Sequence, residues 1–383
     1  MQFSRRKFFQ TLGTGAAISA ASQWSPASFA SATAFEPAKI SGGPILLNEN
    51  ENVFGPSAKV VAAIRSATSS VNRYPDEEYA GLIKKIADLH GVKPEQVVIG
   101  CGSTEILRVV AEALLANGKR VVQASPTYEA IATYGRTIGA DVVSVPLTKE
   151  FAHDLTGMLE QVNSNTTLVY ICNPNNPTAT LTPRRDLETF IAKLPVNCYV
   201  FIDEAYHHYA GQSSMYRSFI DDPIQDERVI VSRTFSKIYA LAGLRVGYAI
   251  ASPALAKLVN PYLTWSSING IAVKAATAAL DDVQSVADFT KRNADGRQEF
   301  FNQAMARMLK PIDSHTNFVM MNVEHPAEGV IEHFQKNNIL IGRRFPPMDA
   351  YIRISLGTPR EMNEFWRVWD MLPFAKMMQM NHQ

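Results

Sequence analysis

The sequence has too few cysteines to build a disulfide framework. Three occur among 383 residues, and Cys101, Cys172 and Cys198 all lie in or beside apolar runs. Buried thiols are therefore expected. Their spacing also matches none of the patterns by which cysteine and histidine bind metals, so no metal site is expected.

Neither sign of charge is in excess. Lysine and arginine number 37 against 36 aspartate and glutamate residues, which gives no reason to expect a nucleic-acid partner. Low-complexity tracts, internal repeats and heptad runs are not seen either. What remains is an ordinary globular composition, 46% hydrophobic and 19% charged, in a chain long enough for one large and one smaller domain.

The first residues follow the pattern of an export signal. Three cations in Ser4-Arg-Arg-Lys-Phe8 resemble a twin-arginine motif and precede small residues from 11 to 21. That stretch is too short and too weakly apolar for a stable membrane anchor. We therefore expect residues 1–34 to be a signal peptide, cleaved after Ala30 or Ala34, and the protein to be periplasmic or secreted through the twin-arginine export machinery. A basic disordered tail is the alternative interpretation.

From about residue 95 to 250, short runs rich in Val and Ile alternate with amphipathic stretches such as Ser103–Ala116 and Pro183–Leu194. This order predicts an α/β protein with a mainly parallel, seven-stranded sheet covered on both faces. Ligands of such sheets bind beyond the carboxyl ends of the strands. The predicted strands are Gln96–Gly100, Arg120–Ala124, Asp141–Pro146, Thr167–Cys172, Cys198–Asp203, Arg228–Ser232 and Val246–Ala251.

After about Pro261 the pattern changes to two helices, Ala272–Leu280 and Val286–Leu309, followed by a smaller α+β module. Residues 45–65 are expected to pack with that module. The elements predicted in it are Asn317–Val323, Ile331–Asn337 and Ile352–Leu356. The predicted parts are the signal peptide, an N-terminal segment of residues 35–65, a large domain of residues 66–284 and a small domain of residues 285–383.

One loop between predicted strands carries an amine with hydroxyls before it and a cation after it. In Ser232-Arg-Thr-Phe-Ser-Lys237 two hydroxyls shortly precede the lysine, and Arg245 follows eight residues later. A Schiff base needs such an amine, and a phosphate group needs such hydroxyls and a guanidinium. A solvated loop is the alternative for these residues taken alone.

Two further turns follow predicted strands. Gly100-Cys-Gly-Ser-Thr-Glu105 leads into a helix, whose N-terminus offers free N–H groups to an anion such as phosphate, although plain helix entry is the alternative. Asn173-Pro-Asn-Asn-Pro-Thr178 is a rigid turn. It either presents the amide of Asn176 to a ligand or is merely structural.

Asp203 ends a buried run and begins Asp-Glu-Ala-Tyr206. A carboxylate there needs a cation or hydrogen-bond donors, and a protonated pyridine nitrogen is such a partner. Tyr206 is then placed to contact an oxygen on the same ring. A capping aspartate is the alternative. Together, a phosphate turn, a ring-pairing aspartate and a Schiff-base lysine at successive strand ends predict a pyridoxal 5'-phosphate site.

These motifs resemble those of fold type I pyridoxal-phosphate aminotransferases of class I/II, and most closely the histidinol-phosphate aminotransferase branch. The likeness covers nearly all of residues 44–360. Further stretches look like elements of that branch: Asn50-Glu-Asn-Val-Phe-Gly-Pro56, Arg73-Tyr-Pro-Asp76, Pro126-Thr-Tyr128, Asn317-Phe318 and Tyr351-Ile-Arg-Ile-Ser-Leu-Gly-Thr358.

The chain also departs from the family pattern. Ala179 stands where glycine is usual, and Val53 stands where proline is usual. Ile341-Gly-Arg-Arg-Phe-Pro-Pro347 replaces a segment that helps the histidinol-phosphate enzymes to recognise the distal phosphate of their substrate. Arg343 and Arg344 are the candidates for that task here.

The resemblance implies a role for each site residue. Lys237 forms the Schiff base and shuttles protons, Asp203 pairs with the ring nitrogen, and Tyr128 stacks on the ring. Substrate contacts fall to Asn52 and Arg353, with Arg353 holding the α-carboxylate or its equivalent. The remaining cofactor contacts are Asn176 and Tyr206 to O3′, and the backbone at Ser103 and Thr104 with Thr234, Ser236 and Arg245 to the phosphate.

The resemblance also implies a homodimer, in which Tyr74 of each subunit reaches the cofactor phosphate of the other. The expected reaction moves an amino group between an amino acid and a 2-oxo acid. Decarboxylation, elimination or cyclisation at the same site is the nearest alternative, because a fold does not settle reaction type. A non-catalytic pyridoxal-phosphate sensor is another, but such regulators carry a DNA-binding segment that is not seen here.

Overall fold

The computed structural model describes residues 43–211 and 213–374. The predicted signal peptide, residues 1–34, lies outside the described residues, so it stays a prediction. Among the helices that are described, none combines the length and the apolar character needed to cross a membrane.

The strands of the described residues are short, and most are rich in β-branched residues, which favour extended backbone. In chain order they are β1 Ile45–Leu47, β2 Val97–Gly100, β3 Arg120–Ser125, β4 Asp141–Pro146, β5 Thr166–Cys172, β6 Tyr199–Asp203, β7 Val229–Thr234, β8 Gly247–Ile250, β9 Lys310–Pro311, β10 Phe318–Asn322, β11 Ile339–Ile341 and β12 Tyr351–Ser355.

Several helices begin at a side-chain cap, such as the Thr358–Glu361 capping box, which satisfies backbone N–H groups that a helix leaves free. In chain order the helices are α1 Ala58–Ala67, α2 Asp76–His90, α3 Ser103–Leu115, α4 Ala130–Thr137, α5 Leu155–Glu160, α6 Arg184–Lys193, α7 His207–Ala210, α8 Pro253–Val259, α9 Gly270–Leu280, α10 Val283–Ala306, α11 Ala327–Lys336 and α12 Pro359–Trp369.

Seven strands form one sheet in the order β2-β8-β7-β6-β5-β3-β4. β8 runs antiparallel to both of its neighbours, and the other neighbouring pairs are parallel. The predicted α/β fold with a mainly parallel, seven-stranded sheet is confirmed. Because β8 runs the opposite way, the segment before it reaches the edge at which the parallel strands end.

Each face of this sheet is covered by helices. Alternate residues of β6 point to opposite faces, so that Val200 and Ile202 join the core under α2, α6 and α9, whereas Phe201 joins the core under α3 and α8. Burial on both faces explains why these strands are apolar throughout. Their carboxyl ends are the first positions where polar side chains can emerge.

The C-terminal module has its own sheet, in the order β12-β10-β9 and antiparallel, and its own apolar core. β1 pairs in parallel with β11 and buries Leu47 in that core. α1, in contrast, packs against α9, and its Val60 belongs to the core of the large sheet. Residues 45–65 are thus shared between the two cores, and the predicted domain boundaries remain predictions.

Candidate active site

The carboxyl ends of the parallel strands open into a cleft of about 650 Å³, which lies within the usual size range of small-molecule sites. Segments from both cores line it. The lining residues on the strand side are Ser103, Thr104, Tyr128, Cys172, Asn176, Asp203, Tyr206, Thr234, Ser236, Lys237 and Arg245, and those on the other side include Glu49, Asn50, Ile341, Arg343, Phe345 and Arg353.

Lys237 lies on the connection that follows β7, and its side chain crosses the cleft to the loop before α1. Its Nζ donates to the carbonyl oxygens of Asn50 at 3.0 Å and Glu49 at 3.1 Å. Burial, aided by the nearby Arg353 guanidinium, lowers the pKa of the Lys237 amine to about 8. Near neutral pH a larger fraction of this amine is therefore neutral and nucleophilic than of an ordinary lysine, whose pKa is 10.5.

An anion cradle forms where α3 begins. Ser103 and Thr104 start that helix, so their N–H groups have no carbonyl partner within it. Thr234 donates its hydroxyl to Ser236 Oγ at 2.9 Å, and Arg245 Nη1 donates to the same oxygen at 3.3 Å. Hydroxyls, a guanidinium and free amides therefore lie on one side of the cleft.

Two glycines make this cradle possible. Gly102 has φ +76°, and a side chain there would collide with the guanidinium of Arg245. At Gly247, the first residue of β8, a side chain would collide with the backbone of Ser103. Glycine is required at Gly247 because the antiparallel strand passes directly against the start of the helix, and it is favoured at Gly102 because of the positive φ.

Asp203 is the buried carboxylate of the cleft. It is 2% exposed, and burial raises its pKa to about 6. Its hydrogen bonds come from the N–H of Ala205 at 3.1 Å and from the hydroxyls of Tyr170 and Ser232. Within the described residues it forms no ion pair. A buried carboxylate without a cation suits a ligand that brings one.

Tyr206 and Asn176 lie near Asp203 and carry polar groups into the cleft. The amide of Asn50 donates to the Tyr206 hydroxyl at 3.0 Å, and Lys237 Nζ lies 5.6 Å from the centre of the Tyr206 ring. Asn176 Oδ1 accepts from Arg353 Nη1 at 2.8 Å. Tyr128 lines the same space and offers a ring face.

Arg353 lies on β12 with its guanidinium buried in the cleft. Its Nη2 donates to the Asn48 carbonyl at 2.6 Å, whereas its Nε has no hydrogen-bond partner. Burial lowers the pKa of this guanidinium from its usual value, although arginine stays charged in proteins. Among the described residues no carboxylate pairs with this buried cation, which lines the cleft and is therefore suited to an anion.

Arg343 and Arg344 lie at the mouth of the cleft in different positions. Arg343 lines the cleft, pairs with Glu129 at 2.7 Å and lies 4.5 Å from the centre of the Phe345 ring. Arg344 pairs with Asp349 at 2.7 Å and is not a lining residue. Of the two candidates, only Arg343 is placed to contact a substrate.

Two predicted site residues are not brought into this cleft. Asn52 donates its amide to the Ile238 carbonyl at 2.8 Å, and its neighbour Asn50 occupies the cleft instead. Tyr74 is 84% exposed and lies outside the cleft of its own chain. Sequence reasoning missed Asn50, although it stands in the Asn50–Pro56 motif that had been singled out.

Comparison with known proteins now bears on this geometry. The family model for aminotransferase class I and II matches residues 43–368. The chain belongs to this family. It is therefore a pyridoxal-phosphate-dependent aminotransferase, which acts on amino acids and 2-oxo acids, and the predictions of enzyme class and cofactor are confirmed.

Relatives of this aminotransferase cover most of its length. It is 38% identical over 335 residues to histidinol-phosphate aminotransferase 2 of Carboxydothermus hydrogenoformans, over 85% of this chain and 91% of the relative. The histidinol-phosphate aminotransferase of Moorella thermoacetica is 34% identical, over 84% of both chains. The crystal structure of histidinol-phosphate aminotransferase from Sinorhizobium meliloti in complex with pyridoxal-5'-phosphate has a TM-score of 0.80 and 29% identity, over 87% of this chain and 90% of that one.

The residues of the cleft fit the cofactor of this aminotransferase. The amine of Lys237, the buried carboxylate of Asp203 without a cation and the anion cradle at Ser103 match an aldehyde, a pyridine nitrogen and a phosphate in chemical type. The two glycines let Arg245 and β8 approach the start of α3 closely, which brings the groups of the cradle together.

Proposed function

We propose that this aminotransferase takes the amino group of a primary amine that carries an anionic group close to the reacting carbon. The observation that supports this most is the Arg353 guanidinium, which lines the cleft and, among the described residues, pairs with an amide and a carbonyl but with no carboxylate. An α-carboxylate and a phosphate monoester both satisfy such a fork. The anion at Arg353 places the adjacent amine carbon near Lys237.

The cofactor is held by the residues that the sequence predicted. Ser103, Thr104, Thr234, Ser236 and Arg245 bind its phosphate. Asp203 would pair with its ring nitrogen, Tyr128 would stack on the ring, and Asn176 and Tyr206 would contact O3′. When bound, pyridoxal phosphate supplies an aldehyde that captures amines and a ring that withdraws electrons from the substrate carbon.

Lys237 moves the proton on which the transfer depends. Its Nζ is neutral in part because burial lowers the pKa of the amine to about 8, so it can take a proton from the substrate carbon and return it at a neighbouring position. Asn50 and Glu49 hold the same nitrogen through their carbonyl oxygens.

Histidinol phosphate is the first donor to be tested, because relatives at 34–38% identity carry that name. Its phosphate suits Arg353, and Arg343 lies in the same cleft. The pairing of Arg343 with Glu129 reduces the net charge at the mouth, which also favours donors with an apolar or aromatic side chain beside Phe345. We therefore propose an amino acid or an amino-acid-like phosphate ester as donor.

The enzyme works as a homodimer in this proposal, and Tyr74 completes the phosphate site of the other subunit. Support comes from the exposure of large apolar side chains, with Tyr74 at 84% and Trp265 at 91%, since exposed apolar residues of this size favour an interface. We further propose export by the twin-arginine machinery, on the basis of residues 1–34. Measurement of the molecular mass in solution tests the homodimer, and cell fractionation tests the export.

The test of the reaction uses Lys237→Ala in the full chain. We expect turnover to fall by at least about a thousandfold and the cofactor to be lost on dialysis. Lys257→Ala is the matched control, because Lys257 is exposed on α8 and should change neither property. Full turnover with retained cofactor in the Lys237 variant would refute the assignment.

The test of the substrate is a screen of purified protein against histidinol phosphate, aromatic amino acids and glutamate. The rate is measured with and without an added 2-oxo acid. Dependence on the 2-oxo acid means transfer, whereas product formation without it means decarboxylation or elimination. A donor that lacks an anionic group yet reacts as fast as the best anionic donor would exclude the proposed role of Arg353.

A further inference from the structure

Asp203 accepts hydrogen bonds from buried side chains that have no part in the proposed reaction. In the sheet, Asp203 on β6 lies opposite Cys172 on β5 and opposite Ser232 on β7. Side chains in register on adjacent strands point to the same face. Tyr170 lies two residues before Cys172 on β5 and shares that face, one step further from the cleft.

Both oxygens of the Asp203 carboxylate are bound by this group. Tyr170 donates its phenol to Oδ2 at 3.2 Å, and Ser232 donates its hydroxyl to Oδ1 at 3.3 Å. Tyr170 and Ser232 are 0% exposed, and the ring of Tyr170 packs 5.9 Å from that of Phe201. The two donors therefore have fixed positions, because packing against the sheet holds them.

We infer that Tyr170 and Ser232 are positioning residues, which aim the Asp203 carboxylate at the ring nitrogen of the cofactor and keep it ionised. The inference rests on the proposed pairing of Asp203 with that nitrogen. Burial alone favours the protonated carboxyl, whereas hydroxyl donors favour the ionised form. A carboxylate bound on both oxygens also loses its freedom to rotate, so its direction is set before the cofactor arrives.

The test measures cofactor affinity rather than turnover. The full chain is freed of cofactor, and its dissociation constants are measured by fluorescence titration for pyridoxal phosphate and for the carbocyclic analogue in which a C–H group replaces the ring nitrogen. The ratio of the two constants reports the pairing of Asp203 with the nitrogen. The change of this ratio in Tyr170→Phe reports the coupling between the Tyr170 phenol and the ring nitrogen of the cofactor.

We expect the wild-type protein to prefer pyridoxal phosphate to the analogue, and Tyr170→Phe to reduce this preference by roughly tenfold, which is the size of one buried hydrogen bond to a charged group. Ser232→Ala should reduce it in the same direction. If one variant fails to fold, the other still decides. An unchanged preference in the variants that fold overturns the inference.

Two controls separate this inference from others. Tyr248→Phe removes one buried phenol from the opposite face of the same sheet, where it contacts His90 at 2.9 Å, and should leave the preference unchanged. A purely structural role for Tyr170 would weaken the binding of both ligands equally. If the wild-type protein itself shows no preference, the pairing of Asp203 with the ring nitrogen is wrong, and the proposed function fails at that point instead.

Discussion

Asp203 and Glu204 are adjacent carboxylates at the end of one buried strand, and the two faces of the sheet treat them in opposite ways. Glu204 points to the face covered by α2, α6 and α9, where it meets Arg233 at 3.3 Å, the Ser218 hydroxyl at 2.6 Å and the Phe219 N–H at 2.8 Å. Asp203 points to the other face, where its donors among the described residues are all neutral.

The difference separates a structural charge from a functional one. The charge of Glu204 is matched by a cation of the chain itself, so nothing further is needed for the fold. The charge of Asp203 is unmatched within the described residues, and burial raises its pKa to about 6. Buried carboxylates with a raised pKa and no cation cluster at functional sites, where a ligand can supply the missing charge.

The arginines repeat this contrast. Arg233 is buried with Asp221 at 2.9 Å, Ser218 at 2.6 Å and Glu204 as partners. Arg353 is buried as well, but it contacts a carbonyl and an amide rather than a carboxylate, and its Nε is free. Asp203 and Arg353, the two buried charges without an ion-pair partner among the described residues, line the cleft together with Lys237.

The largest effect on stability is expected for Arg233 and Glu204, the buried charges that pair with each other. Arg233→Met leaves Glu204 buried without its cation, and we expect the free energy of unfolding to fall by about 3–5 kcal/mol. Urea unfolding of the cofactor-free protein measures it. Arg217→Met is the control, because Arg217 is 70% exposed in a surface ion pair, so its loss should leave the free energy of unfolding nearly unchanged. Equal losses in both variants would remove the contrast.

Asp203→Asn should have the opposite effect on stability. With a pKa of about 6 in the folded protein and 3.8 unfolded, the wild-type protein loses stability as the pH rises through this window, because the unfolded chain releases the proton first. The variant escapes that loss, so its cofactor-free form should be more stable by up to about 3 kcal/mol at pH 7.

This gain should grow between about pH 4 and pH 6 and be constant above. Urea unfolding at a series of pH values measures it, and Glu204→Gln is the comparison that should lose stability instead. Turnover of Asp203→Asn should nevertheless fall at least about a hundredfold. A loss of stability at pH 7 similar to that of Glu204→Gln would show that Asp203 has a matched partner after all.

Arg353→Lys tests the unmatched cation. Lysine keeps the charge but lacks the planar fork, so we expect the KM of the best donor to rise by about ten- to a hundredfold, with the cofactor still bound. Steady-state kinetics provide the measurement. An unchanged KM would mean that the donor's anion binds elsewhere in the cleft.

The smallest effect is expected at the mouth of the cleft. Glu129→Gln releases Arg343 from an ion pair in which both side chains are more than half exposed. The free energy of unfolding of the variant should therefore differ from that of the wild-type protein by less than about 1 kcal/mol. The freed guanidinium should improve kcat/KM for donors with a second anionic group by a few-fold. Glutamate against phenylalanine is the comparison, and an equal change for both would exclude a role of Arg343 in specificity.

Local patterns singled out most of the residues that line the cleft. The seven predicted strands of the large sheet agree with the observed ones to within two residues at each end, because runs of Val and Ile between polar turns define a buried strand without help from the rest of the chain. The helix after Gly102 begins at Ser103, as predicted. The loop of Lys237 joins β7 to β8, also as predicted.

Long-range contacts decided what local patterns could not. Asn50 reaches the cleft because its backbone adopts φ +54° and bonds to Ser355 at 2.8 Å and Asn317 at 3.0 Å. Both partners lie more than two hundred residues away, so no local signal distinguishes Asn50 from Asn52. The support of Asp203 by Tyr170 was equally hidden, since it depends on the register between β5 and β6.

The sequence by itself determined which chemical groups emerge at the ends of the strands. Strand periodicity and turn composition are local properties. They fix the positions of Lys237, Asp203 and the Ser103 turn at the ends of strands. Only the tertiary structure decided which groups meet. The antiparallel direction of β8 brings Arg245 to the cradle, and the pleat of the sheet sends Asp203 to the cleft and Glu204 to Arg233. Neighbouring residues of a strand point to opposite faces, so the partners of a carboxylate depend on which elements cover each face.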